Sequence, residues 1–153
     1  MHHSDGAVVQ EFPPRIRRQI EVQPDNLRLV TSALYDVVND PNGTAYPARD
    51  PYLDVSGKTG TAQTGYVMKK EEDPKLGWFL SQNHAWFASF APSKSPEIAL
   101  AVLVEHGGSG PEVAVPVAMQ IVREYERLQA VRLGHAPPPK PPPVRPKHPG
   151  SKQ

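Results

Sequence analysis

The chain has 153 residues, a length that suits one domain of ordinary size and is too short for two. Hydrophobic residues make up 38% and charged residues 22%, and the absence of cysteine excludes disulfides, thiolate metal sites and cysteine nucleophiles. The formal charge of +1 combines a basic tail, residues 134–153, with a mildly acidic body, so a nucleic-acid-binding body is disfavoured.

The composition divides the chain into a folded part, residues 1–133, and a tail, residues 134–153. The tail holds eight of the 19 prolines and four basic residues but no acidic one. Such a composition predicts a disordered polyproline II segment, with no contacts to the body from residue 136 onward. No stretch approaches the roughly 20 apolar residues of a membrane-spanning helix. The N-terminus also lacks the basic and apolar regions of a signal peptide.

The first regular element predicted along the chain is a helix. Pro24 and Asp25 predict its start, with Asp25 as the N-cap, and it stops at about Asp40, before a Pro-Asn-Gly sequence. Apolar residues at spacings of three and four define one helical face: Leu27, Val30, Leu34 and Val37. A loop then leads to residues 55–63, which are rich in threonine and glycine and predict a strand.

Two further strands follow a polar region. Residues 66–83 contain the helix breakers Pro74 and Gly77 and predict a long exposed loop. Residues 84–90 alternate in the way of a strand, and residues 98–104 are continuously apolar, which is typical of a strand buried on both faces. Their short connection indicates an antiparallel hairpin.

The last element predicted is a helix over residues 111–133. Pro116 lies inside it, either in the first turn, where proline is tolerated, or at a kink. Short antiparallel connections with helices at both ends predict an α+β layer structure in which the three strands form one sheet.

Residues 57–61, Gly-Lys-Thr-Gly-Thr, are the segment most suggestive of chemistry, because they place an ammonium and two hydroxyls beside glycines that allow close ligand approach. A phosphate-binding P-loop needs a glycine five positions before Gly57 and a helix directly after the motif. Position 52 is tyrosine, and the residues after Thr59 are poor helix formers, so the P-loop is rejected. Taken alone, the Lys-Thr-Gly triplet of residues 58–60 is also compatible with an edge strand that has no function.

The residues within and around this segment resemble those of a known protein family. Residues 55–63, Val-Ser-Gly-Lys-Thr-Gly-Thr-Ala-Gln, resemble the Lys-Thr-Gly strand of class B penicillin-binding proteins almost residue for residue. Residues 43–45 resemble the family's Gly-Thr-Ala loop, residues 84–92 its next strand, and residues 98–118 its last strand and terminal helix. The similarity is closest to the elongation-type enzymes, the penicillin-binding proteins 2.

The resemblance implies both a fold and a function. The fold would be α+β, the C-terminal portion of a β-lactamase/transpeptidase-like domain with an antiparallel sheet and flanking helices. The function would be that of a peptidoglycan D,D-transpeptidase at the periplasmic face of the bacterial inner membrane, binding stem peptides and β-lactams without a cofactor or metal. Substrate-binding residues carried over from the family are Lys58, Thr59, Gly60 and Thr61, with the Thr61 N–H as an oxyanion-hole donor. We expect Lys58 to lie on the same cleft wall as Thr59 and Thr61.

The family's nucleophile motif is missing from these residues. No serine is followed by lysine three positions later, and the only Ser-x-Asn match, at Ser81, comes after Lys58 instead of before it. We therefore assign no catalytic residue in this chain and leave its enzymatic status open. The chain is predicted to be the C-terminal third of a transpeptidase domain, of marginal stability because its sheet exposes a face that absent helices would cover. The alternative is a non-catalytic fragment or interaction module that binds carboxylates only.

His84 and His106 flank the predicted strands. Neither has a cysteine or carboxylate at metal-ligand spacing, so we predict structural roles for both rather than a zinc site.

Overall fold

The fold is a three-stranded antiparallel sheet with flanking helices, seen in a computed structural model that describes residues 17–67, 69 and 73–140. In chain order the elements are α1 (Pro24–Asn39), β1 (Ser56–Ala62), α2 (Pro74–Ser81), β2 (His84–Ala91), β3 (Ile98–Val104) and α3 (Val115–Leu133). The strands lie in sequence order, and both pairings are antiparallel. The predicted α+β class and its single sheet are confirmed.

One face of the sheet carries the core. Phe87 is fully buried at its centre and is part of a cluster with residues from α1 and α3. The cluster comprises Val38, Ala45, Leu53, Val55, Ala85, Phe87, Ala91, Ala114, Val115, Ala118, Met119 and Val122. The helices thus cover the face on which β2 places Ala85 and Phe87.

The opposite face of the sheet is open. The prediction that residues 98–104 are buried on both faces is wrong, because β3 alternates between partly buried and exposed residues. Leu103 is 43% exposed, and its partner Trp86 on β2 is 40% exposed. Apolar residues on both faces of a strand predict two covering layers, but the described residues supply one. The exposed face expected from the sequence is confirmed.

Helix α1 begins one residue before its predicted cap. Gln23 is the N-cap and Pro24 stands in the first turn, where its missing N–H has no helical partner to lose. Asp25 lies inside the first turn and pairs with Arg28 instead of capping the helix, so the predicted N-cap is wrong. The end of the helix, at Asp40, is as predicted.

Helix α2 replaces part of the predicted loop over residues 66–83. The Asp73 carboxylate accepts a hydrogen bond of 2.9 Å from the Lys75 N–H and so caps the helix, and Pro74 fits its first turn. Gly77, expected to break the chain, is buried within the helix. Pro74 is therefore compatible with a helix start, and Gly77 is tolerated in the helix interior.

The last helix follows a π-helical turn, Gly110–Ala114, and its α-helical part begins at Val115. Pro116 lies in the first turn, which decides between the two positions left open by the sequence. Gly134 ends the helix with a φ of 71°, a left-handed conformation that glycine adopts at little cost.

The first tail residues return to the body. Arg123 donates hydrogen bonds to the carboxylate of Asp50, which is buried, and to the Pro139 carbonyl. The predicted absence of contacts from residue 136 onward is therefore wrong for residues 136–140. Residues 141–153 lie outside the described part, and their predicted disorder stays a prediction. Among the described residues, we find no helix with the length and apolar character needed to cross a membrane.

Candidate functional site

The segment with Lys58, Thr59, Gly60 and Thr61 lies in β1, at one edge of the sheet. Lys58 pairs with Ala88, and Gly60 with Trp86, on the neighbouring strand. On its other side, β1 has no partner strand among residues 17–67, 69 and 73–140, as a ligand that approaches the backbone of the strand requires. This placement in a strand, and not at a helix start, agrees with the rejection of a P-loop.

Side chains of the segment alternate between the two faces of the sheet. Lys58 and Gly60 share the open face with Trp86, since a Cβ added to Gly60 would lie 3.3 Å from the Trp86 Cβ. Thr59 and Thr61 point to the other face. The prediction that Lys58 lies on one wall with both threonines is therefore wrong, because its side chain and theirs point to opposite faces of the strand.

The free edge of β1 brings these groups together again. The Lys58 ammonium bends back and donates to the Thr59 carbonyl at 2.9 Å. In an edge strand, residues whose N–H and C=O groups face the neighbouring strand alternate with residues whose groups face away from it. Thr59 is one of the residues whose groups face away. The Thr61 N–H, two residues later, points in the same outward direction. An ammonium and a backbone donor thus reach the same open edge.

Thr44 is a neighbour of the site that sequence reasoning did not single out. Its hydroxyl lies 2.9 Å from the Thr59 hydroxyl. The loop that carries it is fixed against α1, because the Ala45 N–H donates to the Val37 carbonyl at 3.0 Å and Ala45 is fully buried. The similarity of residues 43–45 to a family loop was a signal for this position, but spacing alone could not bring Thr44 to Thr59.

The start of β1 is tied to the end of α1. The Asn39 side-chain amide donates to the Val55 carbonyl at 3.0 Å. Gly43 is packed so closely that an added Cβ would lie 2.4 Å from the carbonyl oxygens of Asp36 and Val37. Helix, loop and strand therefore hold Thr44 and Thr59 in one fixed arrangement.

Electrostatics favour an anion at this edge. Lys58 is exposed, and no carboxylate of the described residues forms an ion pair with it. Charge-assisted hydrogen bonds from an ammonium and from hydroxyls to a carboxylate contribute roughly 1.5–3 kcal/mol each. The edge can bind and orient an anionic group, but it holds no activated nucleophile.

Other parts of the described chain lack a comparable constellation. No group of three or more metal-ligating side chains occurs among the described residues. Ser56, two positions before Lys58, is 1% exposed, and its hydroxyl donates to the Ser93 hydroxyl at 2.8 Å. A cavity of about 370 Å³ lies at the far end of β2 and β3, between Ala91 and α3, and does not include the Lys58 segment.

The chain belongs to the penicillin-binding protein transpeptidase domain family, which matches residues 3–123. Among curated proteins it is 34% identical to the peptidoglycan D,D-transpeptidase MrdA of Haemophilus influenzae, over 68% of this chain and 17% of that protein. It is 37% identical to MrdA of Escherichia coli strain K12, over 71% of this chain and 18% of that protein.

Solved structures give the same result. A crystal structure of Pseudomonas aeruginosa PBP2 in complex with WCK 5153 matches with a TM-score of 0.57 and 33% identity, over 74% of this chain and 23% of that one. The chain thus spans less than a fifth of the two MrdA proteins' length. The resemblance inferred from residues 43–118 is confirmed, and the chain is a partial transpeptidase domain.

Proposed function

We propose that this chain supplies the Lys-Thr-Gly wall of the active site in a peptidoglycan D,D-transpeptidase that also binds β-lactams. The observation that carries the proposal is the position of Lys58, Thr59, Gly60 and Thr61 on the unpaired edge of the sheet, with the Lys58 ammonium free of any described carboxylate. The intact protein would act on stem peptides at the periplasmic face of the bacterial inner membrane.

The proposed chemistry is binding and transition-state stabilisation. Lys58 and the hydroxyls of Thr59 and Thr61 would hold the carboxylate of a stem peptide or β-lactam. The outward N–H of Thr61 would donate to the oxyanion that forms when a serine attacks the carbonyl carbon. One such donor typically contributes about 2.7–4 kcal/mol to the transition state. The proton and the acyl group would be transferred at a serine that these 153 residues do not provide in a Ser-x-x-Lys motif.

A second function is favoured by that missing motif. A fragment with this edge but no nucleophile can bind carboxylates and form no acyl-enzyme. The two functions differ in one observable property, the covalent labelling of a complete domain by a penicillin.

A graft tests the proposal directly. Residues 17–140 would replace the matching segment in MrdA of Haemophilus influenzae, and labelling by a fluorescent penicillin would be followed over time. We expect the graft to be labelled. Lys58→Ala or Thr59→Val should each slow labelling by at least about tenfold, because each removes one charge-assisted hydrogen bond. Lys75→Ala and Thr64→Val are matched controls outside the segment and should label at the unaltered rate.

The isolated chain completes the experiment. We expect no covalent labelling of the 153 residues alone, because the serine nearest to Lys58 in sequence, Ser56, is buried and bonded to Ser93. Labelling that disappears in Ser56→Ala would overturn the proposed division of roles. A folded graft that labels equally well without Lys58 and Thr59 would contradict their assignment. An unlabelled chain that binds penicillin reversibly, together with an unlabelled graft, would favour the carboxylate-binding alternative.

A further inference from the structure

The turn after β3 contains a strained residue. His106 has a φ of 53°, in the left-handed region that non-glycine residues seldom enter, although histidine is found there more often than most. This conformation costs about 1–2 kcal/mol for an L-residue other than glycine. Neighbouring groups must therefore stabilise it.

Two hydrogen bonds and two ring contacts hold His106. Its backbone N–H donates to Nδ1 of His84 at 3.0 Å, and its own ring Nδ1 lies 3.3 Å from the Gln82 carbonyl. The centroids of the two imidazole rings are 4.9 Å apart, and the centroid of the Phe79 ring lies 5.0 Å from that of His106. The start of β2 and the end of α2 thus fix the turn that follows β3.

The bond to His84 requires a neutral ring. An imidazole nitrogen accepts a hydrogen bond only when it carries a lone pair, so His84 has its proton on Nε2. The Gln82 carbonyl can only accept, so Nδ1 of His106 carries a proton. Protonation of His84 at Nδ1 would remove the acceptor and place a positive charge beside a second imidazole.

The described side chains offer that charge no anionic partner. The His84 and His106 rings are faced by each other, by Phe79 of α2 and by the Gln82 carbonyl, and the β1 residue paired with His84 is Ala62. No ion pair to either ring is present in the part of the chain that the structure describes. Glu105, the nearest acidic residue in sequence, is exposed at the end of β3.

The same turn supports the Lys58 segment. The Gly108 N–H donates to the Asn83 carbonyl at 2.8 Å, which continues the attachment of the turn to the start of β2. At Gly110, an added Cβ would lie 2.6 Å from the Gly60 carbonyl oxygen and 2.7 Å from that of Trp86. The turn is therefore packed directly on the backbone that precedes Thr61.

We infer that His84 is a positioning residue whose neutral Nδ1 holds the left-handed turn at His106, and with it the contact of Gly110 on Gly60. When His84 is protonated, the turn opens and the end of β1 loses its support. Histidine is the side chain whose charge ordinarily changes between about pH 5 and 8, so a comparison across that interval is the natural test. The consequence for ligand binding rests on the proposed function, whereas the structural effect does not.

Amide hydrogen exchange on the full chain tests the inference, at about pH 7.5 and about pH 5, corrected for the intrinsic rates. We expect the protection of amides 106–110 and of the Gly60 and Ala62 amides, which face β2, to fall by about fivefold to tenfold at the lower pH, the equivalent of one hydrogen bond. In His84→Gln, whose side-chain oxygen accepts without titrating, protection should not depend on pH. In His106→Gly the N–H and His84 remain, so the pH dependence should persist.

His135→Gln removes an exposed histidine just after α3 and is the control for a general charge effect, so its exchange should match that of the unaltered chain. Unaltered protection at the lower pH, or a pH dependence that survives in His84→Gln, would overturn the inference. Loss of penicillin labelling in the graft with an intact exchange pattern would count against the proposed function alone.

Discussion

Gly57 is held so closely against β2 that no side chain fits there. An added Cβ would lie 2.6 Å from the Ala88 carbonyl oxygen and 2.7 Å from a ring carbon of Phe87, which is fully buried. At Gly60, in the same strand, the nearest atom outside its chain neighbours would be the Trp86 Cβ at 3.3 Å. Two glycines of one motif thus have different steric requirements.

Gly57→Ala should therefore destabilise the chain by about 2 kcal/mol or more, because backbone and a packed ring must move. Gly60→Ala is the matched control and should change the free energy of unfolding by less than about 1 kcal/mol. Urea midpoints of the two variants measure the difference. Equal midpoints would mean that β1 is not packed on β2 as described.

Glu126 on α3 shows how burial acts on a charge. Desolvation raises the pKa of its carboxyl, and the nearby carboxylates of Asp50, Asp54 and Glu97 act in the same direction, while Arg123 opposes them. In the window between the ordinary and the raised pKa, the folded chain binds more protons than the unfolded one. The contribution of Glu126 to the free energy of unfolding is therefore present at low pH, and it is lost as pH rises through the pKa of Glu126 in the folded chain.

Glu126→Gln should raise the melting temperature at neutral pH, because the neutral amide has no charge to desolvate. This increase in melting temperature should become smaller toward acidic pH, where the Glu126 carboxyl of the unaltered chain is already protonated. Glu124→Gln is the control on the same helix: hydrogen bonding by Arg127 lowers the pKa of that carboxyl, so its loss should not stabilise the chain. A gain for Glu126→Gln that does not vary with pH would contradict the explanation.

At the scale of elements, the described part of the tail belongs with the body. Residues up to 140 contact the body: Pro139 accepts from Arg123, and Ala136 and Pro138 line the cavity beside α3. Arg123 also pairs with the buried Asp50, so the returning segment completes the surroundings of a partly buried ion pair. Removing a group that contacts a buried ion pair leaves the charges of that pair less well compensated.

Truncation after Lys140 should leave the melting temperature unchanged. Truncation after His135 should lower it by about 2–4 °C, as expected for the loss of roughly 1 kcal/mol in a chain of this size. Thermal unfolding followed by circular dichroism compares the two. If both truncations are neutral, the contact of Pro139 with Arg123 contributes nothing to stability.

For the whole molecule, the open face of the sheet is the dominant feature. Trp86 and Leu103 are both more than one-third exposed on it, while the opposite face is covered by α1 and α3. Exposed apolar patches of this kind are unusual in stable monomers. The marginal stability expected of the isolated chain stays a prediction, and its physical basis is the single covered face.

The sequence alone was enough for the architecture and for the chemistry-bearing segment. Strand alternation, helical spacing and short turns are local properties, so the three strands, their antiparallel order and the two long helices could be predicted from residues close in sequence. The Lys58–Thr61 segment was identified for the same reason, since its residue types and its neighbours along the chain carry the family's pattern.

The tertiary structure decided what depends on residues far apart in the chain. An apolar strand predicts burial on both faces, but Leu103 is exposed because the described residues cover only one face. The contact of Thr44 with Thr59, the bond from His106 to His84 and the return of Pro139 to Arg123 each join distant segments. Local pattern fixes which conformation a segment prefers, whereas burial and contact depend on which surfaces the fold brings together.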